Sequence, residues 1–369
     1  MKILFAAGSL FIAIVFGTAM LFAQNENALP SVEIPGSHLR KMKSAIIDQE
    51  YNLYVHLPND YHDTTKKYPV IYLLDAQWDF SLVTALYGQQ YYDGFIPAAI
   101  IVGITWGGEN PNYDSLRARD LSPTNMKYLP QSGGAEKFLL CIKNEIIPAI
   151  DSNYRTLKND RTIMGSSFGG LFTLYAMLNG TELFQRYVAT SPAIGWDNEN
   201  IYLHENKYLD RHPKDTVRLF VAQGELEGGV PRFEKFMKLL VSRNYPGFSI
   251  RSKVLDNMGH SGGKAEGYTR GLQFVFERPS LILSSGALDQ FVGKYSITDK
   301  NTITLSKKNG HLAALMPDNN IVELFAETET DFYAKGFFLS VHFGKNDPGK
   351  IQGLMLEQYA AKNFLKKIE

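Results

Sequence analysis

The chain has 369 residues with 38 basic and 38 acidic side chains, and it shows no basic run and no internal repeat. That balance argues against nucleic acid and anionic membranes as partners. A single cysteine, Cys141, rules out an intramolecular disulfide, while the chain length is enough for one large domain plus a small one.

Met1-Lys2 precedes Ile3 to Ala23, which is apolar apart from Gly8, Ser9, Gly17 and Thr18. One charge, an apolar run, a small residue at 23 and the polar Gln24-Asn25-Glu26-Asn27 predict a signal peptide over 1–23 and export, to the periplasm or beyond. The rival reading is an uncleaved anchor, since the run is about long enough to span a bilayer. After cleavage no stable membrane association is expected.

Asn52 to Leu57 alternates in polarity and suits an edge antiparallel strand, whereas Val70 to Leu74 and Ala98 to Ile104 are short apolar runs. The polar stretch Glu109 to Gly134, which holds Arg117 and Arg119, reads as a loop over the top of a sheet. Ala135 to Ile150 is an amphipathic helix with Cys141 on its apolar side, a core position. Strands are expected at Thr162–Met164, Tyr187–Thr190, Val217–Ala222 and Ser249–Leu255. Helices are expected at Leu171–Leu178, Pro231–Asn244 and Ala265–Phe276. Apolar runs alternating with helices predict an α/β fold over 24–280: a mostly parallel sheet with helices on both faces.

Within that series, Gly165-Ser-Ser167-Phe-Gly169 lies between a strand and a helix. A turn this tight needs small neighbours, and it presents the central hydroxyl at a helix N-terminus, where developing negative charge is favoured. Gly165 to Gly170 also fits the spacing of a phosphate-binding loop, but Leu171 and Phe172 replace the required Lys and Ser/Thr. Chemistry in such folds collects at the carboxyl ends of strands. Glu225 and Glu227 follow the strand ending at Ala222, and Asp256 and His260 follow the one ending at Leu255. Ser167, acid, His260 is the order of an α/β-hydrolase triad of nucleophile, orienting carboxylate and general base. Glu225, Glu227 and Asp256 compete for the acid. The loop needs a few residues to turn back over the sheet, which favours Glu227. Neither a His-Glu-x-x-His motif nor a cysteine pair is present, so no metal or other cofactor is expected.

Residues from about 45 to 278 resemble an esterase family of α/β-hydrolases. Its members include S-formylglutathione hydrolases, mycolyltransferases, feruloyl and acetylxylan esterases, and siderophore esterases. The resemblance is carried by Tyr72-Leu-Leu-Asp-Ala-Gln-Trp78, Arg117-Ala-Arg-Asp-Leu-Ser-Pro123, Gly133-Gly-Ala-Glu-Lys-Phe138, Glu145-Ile-Ile-Pro148, Tyr154-Arg155, Gly165 to Leu171 and Ser191-Pro192. It implies a serine carboxylesterase acting on a small-molecule ester. It also implies an oxyanion hole from the backbone N–H groups of Gln77 and Phe168, and again selects Glu227, three residues after Gly224. The family usually has Gly where this chain has Ala76. A hydrolase fold serving only as a binding module is the alternative, and it would be expected to lack one of Ser167, His260 or the oxyanion loop.

Pro279 to Gly286 reads as a linker. Beyond it, Phe291–Tyr295, Ile303–Leu305, Glu323–Phe325, Phe332–Tyr333, Phe337–Phe343 and Ile351–Leu356 are short apolar segments spaced by turn residues. They predict a small all-β, barrel-like domain over 287–369. Leu288 to Tyr295 resembles the opening of the lipocalin-like barrel appended to many exported bacterial hydrolases. His311 there reads as a turn residue.

Overall fold

The computed structural model describes residues 31–211, 215–298, 301–347, 350–359 and 361–369. The predicted signal peptide, 1–23, lies outside them. Residues His38–Glu369 form one compact unit that holds two architectures, a sheet covered by helices and a barrel.

The sheet has eight strands: β1 (Ser37–Lys43), β2 (Glu50–His56), β3 (Tyr68–Leu73), β4 (Ile100–Trp106), β5 (Thr156–Ser166), β6 (Arg186–Thr190), β7 (Val217–Gly224) and β8 (Phe248–Leu255). Their order is β1-β2-β4-β3-β5-β6-β7-β8. β3 and β4 are buried at every position, as strands covered on both faces must be, and they pair in parallel. β2 alternates in burial and runs antiparallel to β4, as expected. It is not the edge, however, because β1 lies outside it. β1 escaped the sequence reading because its Ser-His-Leu-Arg-Lys-Met-Lys run carries almost no apolar signal.

The helices are α1 (Ala76–Tyr92), α2 (Tyr113–Leu121), α3 (Ala135–Cys141), α4 (Ile147–Asn153), α5 (Phe168–Asn179), α6 (Ile201–Asp210), α7 (Val230–Ser242) and α8 (Gly263–Val275). A π-helical turn, Ile142–Ile146, joins α3 to α4, so the expected amphipathic helix is one rod with a bulge. Cys141 is fully buried in it. α2 corrects the loop expected over Glu109 to Gly134. Its sequence is polar because only Ala118, Asp120 and Leu121 face inward, and the Asn112 side chain caps it by accepting from the Ser115 N–H at 3.0 Å.

After α9 (Ser285–Asp289), which occupies part of the expected linker, come β9 (Gly293–Thr298), β10 (Asn301–Lys308), β11 (His311–Leu315), β12 (Ile321–Ala326), β13 (Asp331–Tyr333), β14 (Ser340–Asp347), β15 (Lys350–Gln358) and β16 (Ala361–Lys367). Each pairs antiparallel with the next, and β16 returns to β9, closing an eight-stranded barrel. Its interior is filled by Phe291, Tyr295, Phe332 and Phe343 with surrounding aliphatics, and the Phe291 and Phe343 rings lie 4.3 Å apart. These side chains give the barrel a packed core of its own.

Two long helices fix where the barrel sits. α1 begins beside the Ser167 turn and runs 17 residues, about 25 Å at 1.5 Å per residue. At its far end Tyr92 stacks on Tyr359 and Tyr91 packs on Phe338. Gly94 follows in a left-handed conformation (φ 73°), where a Cβ would stand 2.8 Å from the Phe337 carbonyl oxygen. At the far end of α8, Arg278 donates to Glu327 and to Ser340 Oγ, and its carbonyl accepts from Tyr333. The barrel therefore docks on the end of the sheet opposite the Ser167 turn.

Candidate active site

β5 is buried from Arg161 through Ser166 and hands directly to α5. The joint is Ser167, with φ 60° and ψ −117°, a sparsely populated conformation that costs on the order of 1–3 kcal/mol for a residue with a side chain. Surrounding bonds hold it there. Its N–H donates to the Thr190 carbonyl at 3.0 Å, and its own carbonyl accepts from Leu171 and Ala193. Gly165 is required beneath it, because a Cβ would meet the Gly169 backbone at 2.7 Å. Ser166 is 1% exposed and faces the interior, so Ser167 is the hydroxyl at the surface of the turn.

Two open clefts, of about 380 and 490 Å³, both have Ser167 and His260 in their walls. His260 Nδ1 lies 2.6 Å from Glu227 Oε2. The other carboxylate oxygen accepts from Ser191 Oγ at 2.6 Å and from the Gly224 N–H at 2.9 Å. Burial pushes the Glu227 carboxyl up, but the bonds from Ser191, His260 and Gly224 outweigh it, and the group is held below its ordinary range. A carboxylate fixed this way holds one imidazole nitrogen as a donor and leaves Nε2 as the basic one. Ser167 and His260 share cleft walls without a direct hydrogen bond among the described residues. Such contacts commonly tighten only when substrate is present.

The acid loop and the histidine loop are knitted together. The Glu225 N–H donates to Leu255, the Leu226 N–H to Met258, and the Glu225 carboxylate accepts from the Asn257 N–H at 2.7 Å. Glu225 therefore holds the histidine loop in place while Glu227 reaches the ring, and Asp256 is exposed. Ser191 is the site residue that sequence reasoning did not single out by role. It follows β6 at the carboxyl end of the sheet, and that position was the available signal.

Gln77 and Phe168 lie in the first turns of α1 and α5, where helical N–H groups have no partner within the helix. The Gln77 side chain is pinned by Thr105 Oγ1 at 2.7 Å. Asp75, which precedes α1 in a left-handed conformation, is 2% exposed and takes two bonds from Arg117, at 3.1 and 2.8 Å. Burial raises the Asp75 carboxyl and the guanidinium works against that rise. Arg117 also lies over the Trp78 and Phe168 rings and lines one cleft. Arg119 points elsewhere, to Asp120, which also accepts from Tyr51 and Trp106. The Arg117–Arg119 pair thus splits into a cleft residue and a structural one. α8 is tied to α1 beside the clefts: Lys264 and Tyr268 of α8 both donate at 2.8 Å to Asp79 of α1.

Comparisons with known proteins identify the family. Residues 44–243 match the family model described as "Putative esterase". The chain belongs to that esterase family. It is 33% identical over 209 residues to the ferri-bacillibactin esterase of Bacillus subtilis, covering 53% of this chain and 72% of that protein. The solved structure of the BES protein from Bacillus cereus superposes with a TM-score of 0.62 at 25% identity, covering 67% of this chain and 97% of that one. An IroE-like serine hydrolase from Shewanella oneidensis gives 0.58 at 25% identity, covering 65% and 80%. The protein is an ester hydrolase. Ser167 and Glu227 fall inside the matched span, whereas His260 and the barrel lie after it. Among the described residues, no cluster of side chains is arranged to hold a metal ion and no helix is long and apolar enough to cross a membrane.

Proposed function

We infer that the protein is an exported serine carboxylesterase acting through Ser167, His260 and Glu227. The observation that carries this reading is the 2.6 Å Glu227–His260 contact, set on clefts that Ser167 also lines. His260 Nε2 takes the proton as Ser167 Oγ attacks the ester carbonyl. The Gln77 and Phe168 N–H groups stabilise the resulting oxyanion, and the Phe168 end of α5 adds its helix dipole. Collapse of the tetrahedral intermediate expels the alcohol, which leaves with the proton from His260. Water activated by the same nitrogen then releases the carboxylic acid and frees Ser167. Glu227 remains ionised throughout and stabilises the imidazolium.

The substrate class favoured is a siderophore-type ester, supported by the named activity of the Bacillus subtilis relative; acetylated or feruloylated carbohydrate is the other class in reach. Export is supported by the leader pattern over 1–23. A panel of siderophore, feruloyl, acetyl-sugar and p-nitrophenyl esters, assayed on purified protein, tests the reading. The expected result is hydrolysis of the activated ester together with the highest kcat/KM on a siderophore ester. Equal indifference to every ester would contradict it.

A further inference from the structure

Away from the clefts that Ser167 lines, a crevice of about 450 Å³ opens where strand β8 and the end of α8 meet the barrel next to β13. Its walls carry five cationic side chains against one carboxylate, Glu277. Three of the five are satisfied by neighbours: Arg251 lies 3.6 Å from Glu277, Arg270 bonds Glu266, and Arg278 bonds Glu327. Two have no carboxylate partner among the described residues. Lys253 is half-buried on β8, and Lys335 is exposed just beyond β13, its Nζ 4.0 Å over the Phe325 ring. Neither ammonium is engaged by a carboxylate among the described residues, so a carboxylate entering the crevice would gain charge-assisted bonds without breaking an existing pair.

Aromatic rings and guanidinium planes contribute to the remaining walls. Phe95 contributes to one side, and guanidinium planes stack on rings elsewhere, Arg251 over Phe274 and Arg278 over Tyr333, each at 4.3 Å. Such surfaces accept a planar aromatic group, and a guanidinium plane extends the stack. We propose that this crevice between the esterase sheet and the barrel is a binding site for an aryl carboxylate, with Lys253 and Lys335 facing the carboxylate and the stacked rings and guanidinium planes facing the ring. A carboxylate is also what ester hydrolysis releases, so the site fits the chemical class of the enzyme's own product. It lies toward the far ends of α1 and α8, away from Ser167, and is separate from the catalytic clefts.

The test is calorimetric titration of the full chain with benzoate, using cyclohexanecarboxylate and benzyl alcohol to separate ring from charge. Benzoate is expected to bind more tightly than either control. Binding should persist after Ser167 is blocked by an organophosphonate. It should weaken about fivefold or more in the Lys253→Gln, Lys335→Gln double variant. Hydrolysis of p-nitrophenyl acetate by that variant should be unchanged, which also reports that it is folded. Undiminished binding by the double variant overturns the proposal, as does absence of binding by the wild type. Loss of binding on organophosphonate treatment would place the ligand in the catalytic cleft and overturn it equally. Equal binding of benzyl alcohol would overturn the role of the lysines.

Discussion

Three carboxylates near the histidine loop compete for the acid role in sequence, where loop length favours Glu227, and their contacts separate them. Glu227 faces His260, whereas Glu225 bonds a backbone N–H at Asn257. Glu227→Gln should lower kcat by about 10²–10⁴-fold by disturbing the histidine tautomer, and Glu225→Gln should cost only a few fold. Steady-state kinetics of the two variants decides, and a larger loss at Glu225 would mean the wrong acid was chosen. The Glu227 carboxyl is held below its unfolded value, so its contribution to stability is full above the unfolded value and is lost as pH falls through the folded one. The melting-temperature deficit of Glu227→Gln should accordingly be present at pH 7 and shrink toward pH 3. Arg117 offers a second test. Removing it leaves Asp75 buried without its partner, and Arg117→Ala should destabilise by about 3–5 kcal/mol in urea unfolding. Arg117→Lys should retain most of that stability but lower kcat, because an ammonium cannot reproduce the two-pronged bond beside Gln77.

At the scale of elements, the Ser167 turn depends on backbone closeness rather than on side-chain contacts. Gly165→Ala should drop kcat at least about tenfold and destabilise by about 1–3 kcal/mol, since its Cβ would meet the Gly169 backbone, which cannot swing aside. An unchanged kcat would show the turn to be more yielding than this geometry implies. The same dependence explains which elements were legible. β3, β4 and α5 are buried on nearly every side, so their apolar runs announced them. α2 stayed hidden because its buried polar residue, Asp120, is matched by its neighbour Arg119 and by Tyr51 and Trp106 from β2 and β4, partners that no local apolar pattern records. α1 carries apolar residues around its whole circumference without a clean stripe, and the Asp79–Lys264 link across 185 positions lies beyond any spacing rule. The order of Ser167, acid and His260 could be read along the chain and loop length favoured Glu227, but the bonds that separate the two glutamates, Glu227 to His260 and Glu225 to Asn257, needed the fold of their loop.

Over the whole molecule, the barrel and the clefts lined by Ser167 and His260 sit at opposite ends of α1 and α8. Truncation after Ser284 should therefore keep kcat/KM on p-nitrophenyl acetate within about threefold while lowering the melting temperature, because Tyr91, Tyr92 and Arg278 lose their partners. A truncated chain that is folded by circular dichroism yet inert would show that the barrel contributes to the site. The central claim, that Ser167 is the activated nucleophile, is tested most directly by treating the full chain with an organophosphonate and measuring its mass. The expected result is one adduct, mapped to the peptide bearing Ser167, present in Ser166→Ala and absent in Ser167→Ala. An adduct that forms undiminished in Ser167→Ala would contradict the claim.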